Sequence, residues 1–317
     1  MGFNGESART AVGSRSPVCS DAIMPFTRID GTISILGSAP DGDSVHFTPL
    51  RPDAWKTAHL KVRANAAGRV QLRLDAIDAL ETHYTPPGGG LGVLHQPLPL
   101  AHAAAERLLD LLGFSNVVRA PDERVMGATP SSVAATVMTK GVDVNGRCIA
   151  LLYPGGADVP GADGGSVRLE ASALASSANL VLLEEGLVYP TFYSGLYVDL
   201  RAAFTEASTT ARNASRGVWP EDRTVSGVAV TGLATLSDQA VLLPKLFRRL
   251  AEYLTLGGPP SVAAPDLSGF LAFLDAHGDR VLVLSQGQVT GFASVVSVEG
   301  DVVRLTQLPE SLVFFEA

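Results

Sequence analysis

Val70-Gln71-Leu72-Arg73-Leu74-Asp75-Ala76-Ile77-Asp78-Ala79-Leu80-Glu81-Thr82-His83 is the stretch that decides how the chain is read. Val70, Leu72, Leu74 and Ala76 alternate with Gln71, Arg73 and Asp75, the period-two pattern of a strand with one buried face. The alternation then stops, and Asp78 and Glu81 follow at the strand's end. One guanidinium and two carboxylates at the mouth of a strand suit a site that holds a cation and a phosphate. Taken alone, the same charges also describe a surface strand facing water, so the reading needs support from elsewhere in the chain.

A chain of 317 residues has room for one large or two ordinary domains around a sizeable core. A hydrophobic fraction of 46% against 18% charged residues places it among folded globular proteins rather than disordered ones. No apolar run is long enough to span a bilayer, so no membrane partner is expected. Residues 1–28 read as a flexible, Gly/Ser-rich tail without the apolar core of a secretory signal; a cytoplasmic location is expected, with export left open. Cys19 and Cys148 give neither a zinc spacing nor a disulfide framework.

The net charge of −8 argues against a polyanionic partner, because phosphate binding relies on Lys and Arg. The charge is unevenly placed, however. Residues 51–70 carry Arg51, Lys56, Lys61, Arg63 and Arg69 against Asp53 alone, whereas residues 231–317 carry five basic side chains against nine acidic ones. A nucleic acid would meet the N-terminal half.

The expected elements run as follows. A first strand from Gly31 turns through Asp41-Gly42-Asp43 into Val45-His46-Phe47, a hairpin with two aspartates at its bend. After the basic stretch and the opening strand, Pro86-Pro87-Gly88-Gly89-Gly90 forms a loop. Helices are expected over Ala101–Leu112, Ala171–Glu185 and Leu200–Ser215, the last capped by Gly217. Between the first two, Val133–Thr139 and Cys148–Tyr153 flank an Asn145-Gly146 turn. A linker near Glu221–Ser226 leads to an amphipathic helix over Ala240–Leu256, a short helix over Leu267–His277, and four β-like runs: Val281–Leu284, Phe292–Val298, Val302–Leu305 and Leu312–Phe315.

Three motifs occur in one order: Asp41-Gly42-Asp43-Ser44-Val45, then Arg73 with Asp78 and Glu81, then Asp143-x-x-Gly146-Arg147. With Glu185-Gly186-Leu187 and Ala211-Arg212 through Arg216-Gly217-Val218-Trp219, they resemble the staphylococcal nuclease (thermonuclease) family over roughly residues 29–220. The resemblance implies an α+β fold: a five-stranded OB-fold β-barrel with three flanking helices over residues 29–224. Residues 225–317 would add a small C-terminal α+β domain for packing, self-association or binding a protein partner. The resemblance also implies Asp43 and Asp78 as carboxylate ligands of Ca²⁺, with the Ala79 carbonyl a further ligand. Glu81 becomes the general base, and Arg73 and Arg147 bind the scissile phosphate. Leu80 stands where the family usually has Pro, which frees the turn presenting Glu81, and Ser44 replaces the usual Thr.

The chemistry agrees with those roles. Phosphodiester hydrolysis builds negative charge on the phosphoryl oxygens; a hard cation and two forked guanidiniums can offset it. Lys56, Lys61, Arg63 and Tyr189 are expected to contact substrate, the last by stacking on a base. The expected activity is a Ca²⁺-dependent nuclease acting on DNA, and on RNA as a second substrate, leaving 3′-phosphate ends by the resemblance. The alternative is a non-catalytic OB-fold module that binds nucleic acid or protein. None of the six histidines has ligand spacing, and only His83 is expected to face the site.

Overall fold

A computed structural model of the chain describes residues 1–2, 25–87, 92–256 and 266–315. Five strands close on themselves: β1 (Phe26–Ile33), β2 (His46–Pro49), β3 (Val70–Leu74), β4 (Val133–Val142) and β5 (Cys148–Pro154). β1 pairs antiparallel with β2 and with β4, β2 with β3, and β4 with β5. Parallel pairing of β3 with β5 completes the ring. A closed five-stranded barrel in this order is OB-like.

The alternation in the opening stretch is what closes it. Val70, Leu72 and Leu74 are at most 1% exposed and point inward with Ile29, Ile33, Phe47 and Val137, while Arg73 is left on the outer face. Register matters here, because a slip of one residue would send Arg73 inward and the leucines out. Helices α2 (Leu98–Leu112), α3 (Ala178–Glu184) and α4 (Val198–Asn213) add Leu108, Leu182 and Phe204 to the same core. A four-residue helix, α1 (Ala54–Thr57), sets Trp55 edge-on to Phe47 at 6.0 Å.

Several boundaries differ from expectation, each for a local reason. β1 begins at Phe26 rather than Gly31, so the expected tail loses its last residues to the sheet; residues 3–24 of that tail, with Cys19, and 88–90 of the Pro/Gly loop lie outside the described residues. Inward-facing Phe26 and Ile29 are three apart, which breaks the period-two signal. The single helix expected over 171–185 is split at Ser177 into a 3₁₀ turn (Ala171–Ser176) and α3. The Ser177 hydroxyl accepts from the Leu180 amide and donates to the Leu174 carbonyl (2.7 Å), so it caps the second piece and ends the first. α4 stops at Asn213, and Ser215 takes the left-handed conformation (φ 52°) before Gly217 is reached.

The amphipathic helix α5 (Pro244–Thr255) starts at its proline, not at Ala240. Proline has no N–H to give and forces the residue before it into an extended conformation. α6 is Phe270–His277. C-terminal strands β6 (Arg280–Val283), β7 (Gln288–Gly291), β8 (Val296–Glu299), β9 (Val302–Leu305) and β10 (Leu312–Phe314) follow. β7 was not expected, and Phe292–Val295 is a 3₁₀ turn rather than strand. β10 pairs in parallel with the short strand Phe192–Tyr193, so the C-terminal sheet borrows a strand from the barrel half.

A second buried cluster joins Leu80, Tyr189 and Trp219 to Leu246, Phe247, Leu250, Phe270 and Phe314. The expected linker is not loose either. Asp222 accepts from the Tyr189 hydroxyl (2.7 Å) and the Thr224 amide, and the Thr224 hydroxyl accepts from the Leu243 amide at 2.9 Å. Among the described residues no helix is long and apolar enough to cross a membrane.

Asn179 ties α3 to the barrel. It is fully buried, donates to the Asp75 and Ala150 carbonyls (2.8 and 3.1 Å) and accepts from the Leu152 amide (2.9 Å). Asn179→Ala takes their side-chain partner from the Asp75 carbonyl and the Leu152 amide, each worth about 1–3 kcal/mol, while the Ala150 carbonyl keeps the Asp75 amide (2.8 Å). Urea denaturation is expected to register a loss of about 3 kcal/mol; a loss under about 0.5 kcal/mol contradicts the assigned contacts.

Candidate active site

Asp43 lies in the β1–β2 loop, where its carbonyl accepts from the Leu74 amide (2.8 Å) and its carboxylate from the Ala79 amide (3.1 Å). Gly42 is what lets it sit there. A Cβ on Gly42 would meet the Cβ atoms of Ala104 and Ala79 at 2.6 and 2.7 Å, so any side chain would push the loop off α2. Asp78 follows β3 in a two-residue strand that pairs with Tyr189 and Pro190, and its side chain is 2% exposed.

Glu81 is held by Gln96, which is fully buried. The Glu81 amide donates to Gln96 Oε1 (3.2 Å), and the Gln96 amide donates back to the Glu81 carbonyl (2.8 Å). Leu80, expected to free this turn, is instead fully buried in the second cluster and fixes it. Arg147 follows the tight turn at Gly146 (φ 79°), whose carbonyl accepts from the Arg63 amide at 2.8 Å. Arg147 Nε donates to Asp143 at 2.6 Å, and its terminal nitrogens make no hydrogen bond among the described residues.

These residues converge. Asp41, Asp43, Arg73, Asp78, Glu81 and Arg147 all line one polar cavity of about 860 Å³ at the end of the barrel. Arg63, His46 and His83 line it as well. Lys56 and Lys61, expected as substrate contacts, are exposed but do not line it. Tyr189, expected to stack on a base, is instead fully buried, edge-on to Trp219 at 5.2 Å, with its hydroxyl spent on Asp222, and no base can reach it. Tyr84 and Tyr193 are the tyrosines that line the cavity among the described residues; the Tyr193 hydroxyl accepts from Arg73 Nη2 (3.0 Å), and its ring lies 5.0 Å from that guanidinium carbon. Among the described residues no three His, Cys, Asp or Glu side chains are grouped to hold a metal ion, so a cation here would rest on two carboxylates and main-chain oxygen.

The feature that sequence reasoning missed is Arg248. It projects from α5, some 170 residues after Asp78, into the middle of the acidic group. Nη2 donates to Asp78 Oδ2 at 2.7 Å, and Nη1 donates to Asp78 Oδ1 at 3.2 Å and to Glu81 Oε1 at 2.5 Å. Nothing in the local pattern of Lys245-Leu246-Phe247-Arg248-Arg249 separates Arg248 from a solvated charge on an amphipathic helix.

Charge crowding sets the protonation of the group. Burial, and then Asp41, Asp78 and Glu81, push Asp43 well above the usual carboxylate range, and Arg73 only partly offsets them. Burial alone would raise Asp78 too, but the charge and hydrogen bonds of Arg248 outweigh it and hold it low. Of the two carboxyls, Asp43 is therefore the one that takes up a proton more readily. Burial, with Asp78 and Asp41, pushes Glu81 up to about 7 despite the pull of Arg248.

No protein-family model matches the chain, and no curated protein matches it at a significant level. The cavity itself has to say what it can do. It offers hard, anionic oxygens beside forked guanidiniums, a donor set for a divalent cation and for phosphate.

Crowding makes Asp43 costly to fold in the absence of a cation. Its carboxyl carries a raised folded pKa, so at neutral pH the folded state either takes up a proton or bears an unfavourable charge. Asp43→Asn removes that penalty. With chelator at pH 7–8, differential scanning calorimetry is expected to give the variant a melting temperature about 1–2 °C above wild type, as about 1 kcal/mol would in a chain this long. A lower melting temperature contradicts the crowding.

Proposed function

We propose that this chain is a phosphodiesterase that hydrolyses nucleic acid, DNA and also RNA, with low sequence specificity and with Ca²⁺ at Asp43 and Asp78. The observation that supports it most is the meeting of Arg73, Glu81 and Arg147 with those two carboxylates in one cavity, although they come from three separate parts of the chain. On this reading α2, α3 and α4 are the barrel's three flanking helices, and residues 225–317 form a small accessory α+β domain.

Asp43 and Asp78, with the Ala79 carbonyl as a further oxygen, would hold the ion, which when bound polarises a phosphoryl oxygen. The protein's own groups do the rest. Arg73, fixed by the Tyr193 hydroxyl and ring, and Arg147, fixed at Nε by Asp143, present guanidinium nitrogens to the non-bridging oxygens and meet the charge that builds there. Glu81 takes the proton of the attacking water as its oxygen bonds to phosphorus. The bond to the departing 5′ oxygen breaks, that oxygen takes a proton from solvent, and a 3′-phosphate remains. Arg63, at the cavity's exposed edge, suits contact with the neighbouring backbone phosphate.

One observation favours the second reading, a non-catalytic OB-fold binding module: Arg248 already occupies the carboxylates that catalysis needs. Cleavage assays on single- and double-stranded DNA and RNA, with Ca²⁺ or with chelator, separate the two. Cleavage only with Ca²⁺ is expected, and Glu81→Gln and Arg147→Ala should each lower kcat by about 10²–10⁴. Cleavage indifferent to both substitutions, or binding of all four substrates with no cleavage, removes the enzyme reading.

A further inference from the structure

We propose that Arg248 is an internal counter-cation that competes with the divalent ion for Asp78 and releases Glu81 only when the ion binds. This rests on the cation-assisted reading above and adds to it a restraint built by the C-terminal region. The guanidinium bonds both oxygens of Asp78 and one of Glu81, so its charge and its nitrogens stand in the space between the two carboxylates and hold both side chains to itself. A guanidinium bonded to both oxygens of Asp78 sets a positive charge beside any cation that would ligate there, so the two repel and the ion has to displace it.

The placement is not an accident of a long exposed side chain. Arg248 is 22% exposed, and its helix is fixed independently on both flanks. Leu246, Phe247 and Leu250 are fully buried in the second cluster. Arg249 is bonded to Asp279 (2.7 Å) and Glu252 (2.8 Å), Lys245 to Asp279 (3.0 Å), and Glu252 to Tyr84, which lies three residues beyond Glu81 (2.5 Å). Gln96, whose backbone and side-chain carbonyl hold Glu81, donates its side-chain amide to the Leu242 carbonyl just before α5 (2.8 Å). The helix therefore stays seated with or without Arg248, and release needs only the side chain to turn into the cavity. There Arg73, Lys245 and Arg249 repel it, while Asp41, Glu252 and a bound phosphate attract it.

Competition has a direct consequence for affinity: the wild-type site binds a cation more weakly by the factor that the guanidinium must be displaced. Calorimetric titration of the full chain with Ca²⁺ alone tests this, on wild type, Arg248→Gln, Arg248→Lys, and Arg248→Gln combined with Asp43→Asn. Arg248→Gln is expected to bind Ca²⁺ at least tenfold tighter than wild type, Arg248→Lys to fall between them, and the Asp43→Asn combination to lose the binding. Equal affinity in wild type and Arg248→Gln, with binding lost in the Arg248→Gln and Asp43→Asn combination, leaves the cation site standing and overturns the competition. No Ca²⁺ binding by any of the proteins overturns the cation site, and the competition with it. A wild-type measurement covers misfolding of the variants: the Arg248 guanidinium protons, followed by NMR, should be protected from exchange with chelator and lose protection on Ca²⁺ saturation. Protection unchanged by saturating Ca²⁺ overturns the proposal as well.

Discussion

Asp43, Asp78 and Glu81 are crowded at one end of a barrel and cannot all be charged without positive charge facing them. The ion pair from Arg248 to Asp78 and Glu81 supplies that charge for two of them, while Asp43, offset only in part by Arg73, is left well above the usual carboxylate range. Breaking one partner out of so enclosed a pair strands the other, a loss of about 3–5 kcal/mol in general. The arrangement of α5, the second cluster and the barrel mouth follows from keeping this pair assembled.

The two hydrophobic clusters divide the work of placement. The barrel core fixes Arg73 on the outer face of β3 and the Asp43 loop above it; the second cluster fixes α5. Leu80 is where they meet, since it belongs to the second cluster while its neighbours Ala79 and Glu81 line the first cluster's edge and the cavity. A single turn of chain thus couples the seating of the C-terminal region to the geometry of Glu81. A purely accessory domain on a loose tether would have no such hold on the site.

The strands and turns of the barrel were legible because their determinants are local, whereas its closure was expected through the resemblance alone. Period-two burial in 70–74, the Asp-Gly bend and the Asn145-Gly146 turn each write their structure into a few adjacent residues. Arg73, Asp78, Glu81 and Arg147 could be named, and their gathering in one cavity expected, only through the resemblance that their motifs carry together. Long-range facts were not legible. The pairing of Phe192–Tyr193 with β10, the burial of Tyr189 under Asp222 and the delivery of Arg248 all depend on contacts across 30 to 170 residues. Helix ends were misplaced where one side chain, Ser177 or Pro244, decides between continuing and stopping.

The most direct test of the account is a double-mutant cycle on Arg248 and Asp78, read by urea denaturation of the full chain without divalent ions. Arg248→Gln, Asp78→Asn and the double variant are compared with wild type. A coupling of about 2 kcal/mol or more is predicted, with the double variant far less destabilised than the two single losses added together. Losses that add to within about 0.5 kcal/mol would mean that the two groups do not meet at the barrel mouth, and the account would be wrong at its centre.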